Sequence, residues 1–338
     1  MQLSARVAFV GALTLGLACQ SSTPPTVGQP PSATASAVQG PDRPIELVIP
    51  APRATAGIDT DARFLRDLLE QSKVVIQPIQ PVNREGAAAV SFLATKRGNM
   101  NYLMLFSSAL FATLATTTPP LDVTELTPIA NIALEPALLW VAIDSPWRSA
   151  KDLLAAAKTS TLVVSGAGSR QDDEVVFRRI QALAATRPFL YVALPSAGDA
   201  LAALATHQAG VVATVTHPAA SVSIPAATRA RLRPLCSFTP DPLRSGAYAG
   251  LPTCASQELH LDDVYAVRAV VAAPGLTAAQ EAFWVDVVRR TAGSVEWQRY
   301  AEQAQLLPEL RVGADVRALL GRYQQIYRDV ARANGWGG

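Results

Sequence analysis

The stretch VVSGAGSRQDDEVVF, residues 163–177, has the order of a strand, a turn of small residues and the first turn of a helix. Backbone N–H groups at a helix start lack partners inside the helix and attract an anion. Two or three such donors and the Ser169 hydroxyl are suited to one small carboxylate. The alternative is an ordinary capped helix, with Ser169 as the N-cap and Asp172 at position N3. The stretch alone leaves both interpretations open.

The same alternation of strand and helix recurs along the chain and predicts an α/β fold. Helical spacing is clear in residues 60–72, where Ala62, Leu65, Leu68 and Leu69 form one apolar face. Strands that alternate with helices favour mostly parallel sheets with helices on both faces. The predicted strands cover residues 44–50, 73–79, 101–108, 137–143, 160–166, 188–194 and 210–215.

Capping boxes mark two further helix starts, one at Ser149 with Asp152 and one at Thr277 with Gln280. The second of these opens the C-terminal third of the chain, which is predicted to be helical. Its apolar and aromatic residues recur at helical spacing, which is typical of a core face rather than of a ligand site.

Ligands of open α/β sheets bind beyond the C-terminal ends of the strands. The loops after Ile49, Phe106 and Val164 lie at that edge of the predicted sheets. Ser107 and Ser108 end the predicted strand that contains Phe106, and they place two hydroxyl groups there. The sequence therefore predicts a binding site among these loops.

The N-terminus predicts export. Residues 1–19 contain Arg6, an apolar run too short for a permanent membrane span, and Cys19 after a small residue, which is typical of a lipoprotein signal peptide. The alternative is a conventional signal peptide in which Cys19 is incidental. Residues 20–42 are rich in Pro, Ser, Thr and Gln and are predicted to be a disordered tether. We therefore expect a periplasmic protein that is lipid-anchored to a bacterial membrane.

The chain has 338 residues, three of them Cys, and a formal net charge of +2. Its length suits two domains, and no block of Lys and Arg favours nucleic acid as a partner. With Cys19 lipidated, Cys236 and Cys254 remain as a pair for a disulfide in an oxidising compartment. Two free buried thiols are the alternative.

The common catalytic and cofactor motifs do not occur in the sequence. The glycines of residues 163–177 are followed by neither a Walker Lys-Ser/Thr nor a complete G-x-G-x-x-G. No G-x-S-x-G or H-E-x-x-H sequence is present, and the histidines lack zinc-ligand spacing to the cysteines. We therefore expect no enzyme, no cofactor and no metal.

The order of several short segments resembles the extracytoplasmic substrate-binding receptors of tripartite tricarboxylate transporters, the Bug-type family. Asp59, Ala62 and Arg63 match the family's D-x-x-A-R pattern after RPIELVIP. The resemblance runs from about Arg43 to Trp336. Further matching segments are VNREGAAAV, NYLMLFSS, LTPIANIA, ALPSAGDALAALATHQAG, LPTCASQ and AAPGLTAAQ.

The resemblance implies a two-domain periplasmic-binding-protein-like fold of type II, with two crossover strands and the ligand in the cleft between the domains. Residues 43–141 and 266–338 would form domain 1, and residues 142–265 would form domain 2. It also implies ligand contacts from both domains. The predicted ligand-binding residues are Ala54, Thr55, Ala56, Gly57, Asp59, Ser107, Ser108, Gly166, Ala167, Gly168, Ser169, Arg170, Gln171 and Ser196.

The departures from the family pattern lie in the two loops that would bind the ligand. The family's glycine pair in the first loop is reduced here to Gly57, while Arg53 and Arg170 add positive charge. Where the family often has His after the second loop, this chain has Asp172, followed by two more acidic residues. These differences leave room for a ligand other than a plain dicarboxylate or tricarboxylate, and an amphoteric molecule is one alternative.

The function that the resemblance implies is a receptor that closes on a small organic acid and delivers it to membrane permease subunits. We expect the receptor to be monomeric. The alternative is a degenerate family member that acts as a structural, interaction or sensory lipoprotein without a transport ligand, which the lost glycine pair favours.

Overall fold

The computed structural model describes residues 40–51, 57–117 and 122–336. Within these residues the chain forms eleven strands that belong to two sheets. The strands are β1 (Ile45–Ile49), β2 (Ile79–Asn83), β3 (Tyr102–Ser107), β4 (Thr127–Pro136), β5 (Leu138–Ala142), β6 (Val163–Ala167), β7 (Leu190–Leu194), β8 (Ala213–Thr216), β9 (Leu232–Ser237), β10 (Tyr265–Ala272) and β11 (Leu307–Val312).

Eleven α-helices connect and cover these strands in the described part of the chain. The helices are α1 (Gly57–Gln71), α2 (Ala87–Ala94), α3 (Ala109–Thr116), α4 (Ala150–Thr159), α5 (Asp172–Ala184), α6 (Ala197–Ala205), α7 (Pro218–Ser223), α8 (Ala226–Arg229), α9 (Ala278–Ala292), α10 (Val295–Gln303) and α11 (Ala314–Ala333).

The first lobe is built on a six-stranded sheet of order β11-β4-β10-β3-β1-β2. Strand β1 runs parallel to β2 and β3, whereas β10 and β11 pair antiparallel with their neighbours. Successive side chains of a strand point to opposite faces. Leu47 therefore packs with α1, α9 and α10 on one face, while Val48 packs with α2, α3 and α11 on the other.

The second lobe is built on a five-stranded sheet of order β7-β6-β8-β5-β9. Strands β6, β7 and β8 are parallel neighbours, and β5 pairs antiparallel with β8 and β9. Leu139 packs toward α4 and α5, and Trp140 packs toward α6 on the opposite face. A disulfide joins Cys236 of β9 to Cys254 beneath the α4 and α5 face.

The α/β class, with two sheets and helices on both faces, is confirmed. The strand directions differ from the expectation of mostly parallel sheets, because five of the nine strand pairs among the described residues are antiparallel. The physical reason is connectivity. Strand β4 passes through the single residue Ala137 into β5 of the other sheet, and β10 returns after β9, so these strands enter their sheets against the parallel direction.

Two element predictions were wrong in detail. The strand predicted at 73–79 begins only at Ile79, since the preceding Ile76 is 91% exposed and contributes nothing to the core. The C-terminal third is not wholly helical, because it supplies β11 to the first sheet. Both predicted capping boxes, at Ser149 and at Thr277, are present.

The proposed domain boundaries remain a prediction, although β5, which the sequence placed in domain 1, is hydrogen-bonded into the second sheet. Cys19, residues 1–39 and the predicted contacts Ala54, Thr55 and Ala56 lie outside the described residues. Among the helices that are described, none combines the length and the apolar character that crossing a membrane would require.

Candidate functional site

The site lies where three parallel strands of the second lobe end. Strands β6, β7 and β8 are neighbours, so their C-terminal ends meet at one edge of the sheet. The chain then continues into Gly168, Pro195 and His217, and all three residues line a cavity of about 310 Å³. Ala109, the first residue of α3 in the first lobe, lines the same cavity. The cavity therefore lies between the two lobes, at the edge where α/β sheets bind ligands.

The loop between β6 and α5 is held by its own acidic side chains. The Ala167 N–H donates to Asp173 Oδ2 at 2.8 Å, and the Arg170 N–H donates to Glu174 Oε2 at 2.7 Å. The Gly168 N–H donates to the Leu194 carbonyl oxygen at 2.8 Å. Three N–H groups of the loop are thus already bonded within the protein. The arrangement is closer to the capped-helix alternative than to a loop whose N–H groups are free to bind an anion.

The capping differs from the predicted version in the residues that perform it. Gln171, rather than Ser169, is the N-cap of α5, and its side chain makes no capping hydrogen bond. Gly168 and Arg170 both adopt left-handed backbone conformations, with φ of 67° and 58°. These turns direct the loop back so that Asp173 and Glu174 reach its N–H groups.

Gly166 has a packing role in this loop. A Cβ atom built on it would lie 2.4 Å from the Asp173 Cβ and 2.4 Å from the Tyr191 hydroxyl oxygen. Tyr191 in turn donates from its hydroxyl to the Gly168 carbonyl oxygen at 3.1 Å. The absence of a side chain at Gly166 therefore lets Asp173 and Tyr191 approach the loop.

The structure brings together only some of the predicted ligand contacts. Ala167, Gly168 and Gln171 line the cavity. Asp59 is buried and accepts hydrogen bonds from Arg63 at 2.9 Å and Asn83 at 2.8 Å, so the D-x-x-A-R pattern forms an ion pair inside α1. Other predicted contacts that do not line the cavity are Gly57, Ser107, Ser108, Gly166, Ser169, Arg170 and Ser196.

Three of those side chains have structural partners. The Ser108 hydroxyl donates to the Tyr265 carbonyl oxygen and accepts from the Val267 N–H, so it joins β3 to β10. Ser196 is the N-cap of α6 and accepts from the Asp199 N–H at 3.1 Å. The Arg170 guanidinium donates to the Trp336 carbonyl oxygen of the first lobe at 3.3 Å. Their role as ligand contacts remains a prediction.

Seven residues that the sequence patterns did not assign to the site also line the cavity: Ala109, Asp172, Asp173, Pro195, Ala197, Thr216 and His217. A signal for the last two was present, because they follow the strand predicted at 210–215, whose C-terminal end faces the ligand edge. The two aspartates were visible only as acidic residues of a helix start, and the fold decides which way they face.

A cluster of buried charges lies beside the cavity. Arg268 of β10 donates to Asp61 of α1 and to Glu135 of β4, both at 2.6 Å. Burial raises the pKa of Glu135, but the positive charges of His217 and Arg268 outweigh it, and its pKa is below the usual value. Glu135 therefore favours its ionised form, paired with Arg268 and close to His217.

His217 is the basic side chain of this cluster that lines the cavity. Its Nδ1–H donates to the Pro136 carbonyl oxygen at 3.0 Å, which leaves Nε2 for a second interaction. Burial disfavours the imidazolium, but the carboxylates of Glu135, Asp173 and Asp172 outweigh burial and raise its pKa above 6.5. His217 is therefore more readily protonated than a solvent-exposed histidine.

The raised pKa values of the two aspartates in the cavity favour their neutral forms, whereas the raised pKa of His217 favours its charged form. Burial raises the pKa of Asp173 to about 7, although His217 and the Ala167 N–H favour its charged form. Burial also raises the pKa of Asp172, which accepts a hydrogen bond from the Tyr327 hydroxyl of the first lobe at 2.9 Å. Among the described residues, no group of three His, Cys, Asp or Glu is arranged to hold a metal ion.

Solved structures with a similar fold include solute-binding proteins. A TctC solute-binding protein from Polaromonas, solved with no ligand, superposes with a TM-score of 0.74 at 18% identity, over 87% of this chain and 99% of that one. MatC from Rhodopseudomonas palustris with bound malate gives a TM-score of 0.66 at 20% identity, over 86% and 99%. This chain has the fold of these solute-binding proteins.

A third similar structure, an R. palustris protein with adipate, has a TM-score of 0.69 at 21% identity, over 87% of this chain and 98% of that chain. No protein-family model matches the sequence, and no curated protein matches it either. At such identities the likeness establishes the fold, while the chemistry of the cleft has to be argued from the residues of this chain.

Proposed function

We propose that this chain is an extracytoplasmic solute-binding receptor of the tripartite tricarboxylate transporter type, which closes two lobes around a small organic acid. The observation that carries the proposal is the cavity of about 310 Å³, lined from both lobes at the C-terminal ends of parallel strands. Solved proteins of the same fold hold malate and adipate. A signal peptide ending at Cys19, a lipid anchor, a periplasmic location and permease partners belong to the same proposal.

Closure gives such a receptor its function. A ligand shifts the equilibrium between open and closed forms only by its higher affinity for the closed form. Here Ala109 of the first lobe and Gly168 of the second face one cavity, so a ligand there contacts both lobes only when they are close. The permease would then recognise the closed form.

Thermal unfolding of the full chain in the presence of malate, adipate and related acids tests this proposal. A ligand at 100 times its Kd adds about 2.7 kcal/mol to the stability of the folded state, which raises the unfolding midpoint measurably. Ala109→Trp places a large side chain at the cavity from the exposed first residue of α3 and is expected to abolish the shift.

Ala282→Trp is the matched control, because Ala282 is also a helical alanine but does not line the cavity. It should leave the ligand-induced shift unchanged. A shift that survives Ala109→Trp would place the ligand elsewhere and contradict the proposed site.

A degenerate family member that acts as an interaction lipoprotein is the second candidate, and one observation favours it. The Ala167 and Arg170 N–H groups already donate hydrogen bonds to Asp173 and Glu174, so they are not available to a ligand carboxylate. A chain that no organic acid stabilises, in the wild type or after Asp173→Asn, would favour this candidate.

A further inference from the structure

The edge strands of the two sheets differ in how they are protected against pairing with another chain. The edges of the first sheet are β2 and β11, and those of the second sheet are β7 and β9. An edge strand presents unpaired N–H and C=O groups, which proteins commonly block with proline or with charged side chains. In the described part of the chain, β2 contains Pro81, β11 contains Pro308 and β9 contains Pro234.

Strand β7 lacks this protection. Its sequence, LYVAL at residues 190–194, contains neither a proline nor a charged residue. Leu190 has a relative exposure of 59%, and Ala193 is exposed as well. In contrast, β9 and β11 carry charges in addition to their prolines, such as Arg233 and Glu309. The composition of β7 therefore favours pairing with a further strand.

The backbone of β7 directs hydrogen-bonding groups away from its own sheet. The Leu190 N–H donates to the Leu162 carbonyl oxygen at 3.0 Å, so the backbone groups of Leu190 face β6. Alternate residues of a strand direct their backbone groups to opposite sides. The N–H and C=O groups of Tyr191 and Ala193 therefore lie on the outer side of β7, where they can bind another strand.

These outer groups suit an identical strand. Tyr191 and Ala193 lie on either side of Val192, so a second β7 that runs antiparallel places Tyr191 opposite Ala193 and forms about four hydrogen bonds. Because β7 carries no charge, two copies meet without repulsion. The prolines of β2, β9 and β11 disfavour pairing of β7 with any of those edges in a second copy. A two-fold contact between identical strands closes as a dimer and does not extend into a fibre.

We infer that β7 is the surface through which two copies of this chain associate, by antiparallel pairing about Val192. The pairing joins the second sheets of the two copies into one continuous sheet. The inference goes beyond the receptor function and differs from the monomer expected from the sequence. An interface built on two short strands is small, so the dimer is weak and dissociates on dilution. Pro195 lines the cavity and directly follows β7, so the two copies meet beside their cavities.

Sedimentation velocity of the full chain measures this association. The chain carries Cys19→Ser, so that neither a lipid nor a free thiol at that position contributes to the result. Over concentrations of about 1 to 100 µM, the wild-type β7 is expected to give a sedimentation coefficient that rises from the monomer value toward the dimer value.

Two substitutions in β7 test whether this strand is the interface. Ala193→Pro removes an outer N–H and leaves the hydrogen bonds to β6 in place, while Leu190→Lys places a charge in the paired edge. Each is expected to lower the association constant by about tenfold or more. Leu310→Lys is the matched control, because Leu310 is also an exposed leucine of an edge strand, but Pro308 already protects that edge. Circular dichroism and the unfolding midpoint confirm that each variant is folded.

A cysteine at the centre of β7 tests the register. In antiparallel pairing about Val192 the two copies of this residue face each other with Cα atoms about 4.5 Å apart, which suits a disulfide. Val192→Cys is therefore expected to form a linked dimer under mild oxidation. Val222→Cys is the control, because Val222 is an exposed valine of α7 and lies outside β7.

Three results would overturn the inference. They are a chain that stays monomeric over the whole concentration range, a dimer that both Ala193→Pro and Leu190→Lys leave intact, and a dimer that Val192→Cys does not cross-link. In the first case, the β7 edge would be free to pair only with a different protein. None of these measurements uses an organic acid, so the receptor proposal stands or fails separately.

Discussion

At the residue scale, the missing side chain of Gly166 fixes the distance between β6 and α5. The space that a Cβ atom would need is occupied by the Asp173 side chain and the Tyr191 hydroxyl. Because the two elements are this close, Asp173 accepts a hydrogen bond from the Ala167 N–H. Gly166, which the resemblance implied as a ligand contact, therefore allows the close approach of the protein's own side chains.

Gly166→Ala is expected to destabilise the folded chain by about 1–3 kcal/mol, because an added methyl group in a filled space forces its neighbours apart. The measurement is the midpoint of urea unfolding. Gly57→Ala is the control, since no described atom lies within 4 Å of the position that its added methyl group would take at the start of α1. Equal midpoints for the two variants would contradict the packing role of Gly166.

At the element scale, Arg268 joins three elements of the first lobe. From β10 it reaches Asp61 of α1 and Glu135 of β4, and all three side chains are largely buried. Tyr300 of α10 donates a further hydrogen bond to Asp61 at 2.6 Å. The ion pairs therefore connect β10 to β4 in the sheet and to α1 on one face, and the Tyr300 hydrogen bond adds α10.

Arg268→Met is expected to lower the free energy of unfolding by about 3–5 kcal/mol, because it leaves two buried carboxylates without their cation. Denaturant unfolding monitored by circular dichroism measures the loss. Arg322→Met removes an arginine that is paired with Asp263 but is about half exposed, and its expected cost is about 0–1 kcal/mol. A loss for Arg268→Met as small as that of the control would show that the buried pair is dispensable.

The element scale also explains which parts of the site the sequence predicted. The loop of Ala167, Gly168 and Gln171 was identified because a strand, a small-residue turn and a helix start are local features. Thr216 and His217 were missed because their position depends on β8 lying beside β6. That pairing connects residues nearly fifty positions apart in the chain, and no local pattern specifies it.

At the scale of the whole molecule, titratable groups from both lobes meet at the cleft. Asp173 and Asp172 of α5 and His217 at the start of α7 face Glu135 of β4. The Tyr327 hydroxyl of the first lobe donates a hydrogen bond to Asp172 of the second lobe. Proton binding in this cluster therefore affects the stability of the whole fold.

The stability of the folded chain is expected to fall as pH rises from about 5 to 8. The pKa of Asp173 is raised from 3.8 to about 7, so between these values the folded chain holds a proton that the unfolded chain has released. The raised pKa of His217 acts in the same direction: its contribution is fully present below 6.5 and is lost as pH rises through the folded value.

Urea midpoints at pH 5, 6, 7 and 8 measure this dependence, and Asp173→Asn should weaken it because the amide does not titrate, while the contribution of His217 remains. Carboxyl groups with lowered pKa values, such as Asp152, lose their contribution only in more acidic solution and do not offset the fall. A stability that rises from pH 5 to 8 would contradict the assignment of raised pKa values to this cluster.

The sequence by itself determined the elements whose signals are local. Short apolar runs predicted β1, β3 and β5, and helical spacing with capping residues predicted α1, α4 and α9. The order of short segments along nearly the whole chain also indicated the α/β class with two sheets. These features depend on neighbours within a few residues, where backbone geometry and side-chain period leave few alternatives.

Only the tertiary structure decided how the strands run and what the cleft contains. The antiparallel strands β4 and β10 take their direction from the passage of the chain between the two sheets, which no window of sequence encodes. The charges of Asp172, Asp173 and His217 converge because α5 and β8 meet at one edge of a sheet. Convergence of distant residues depends on strand order, and strand order follows from packing of the entire core.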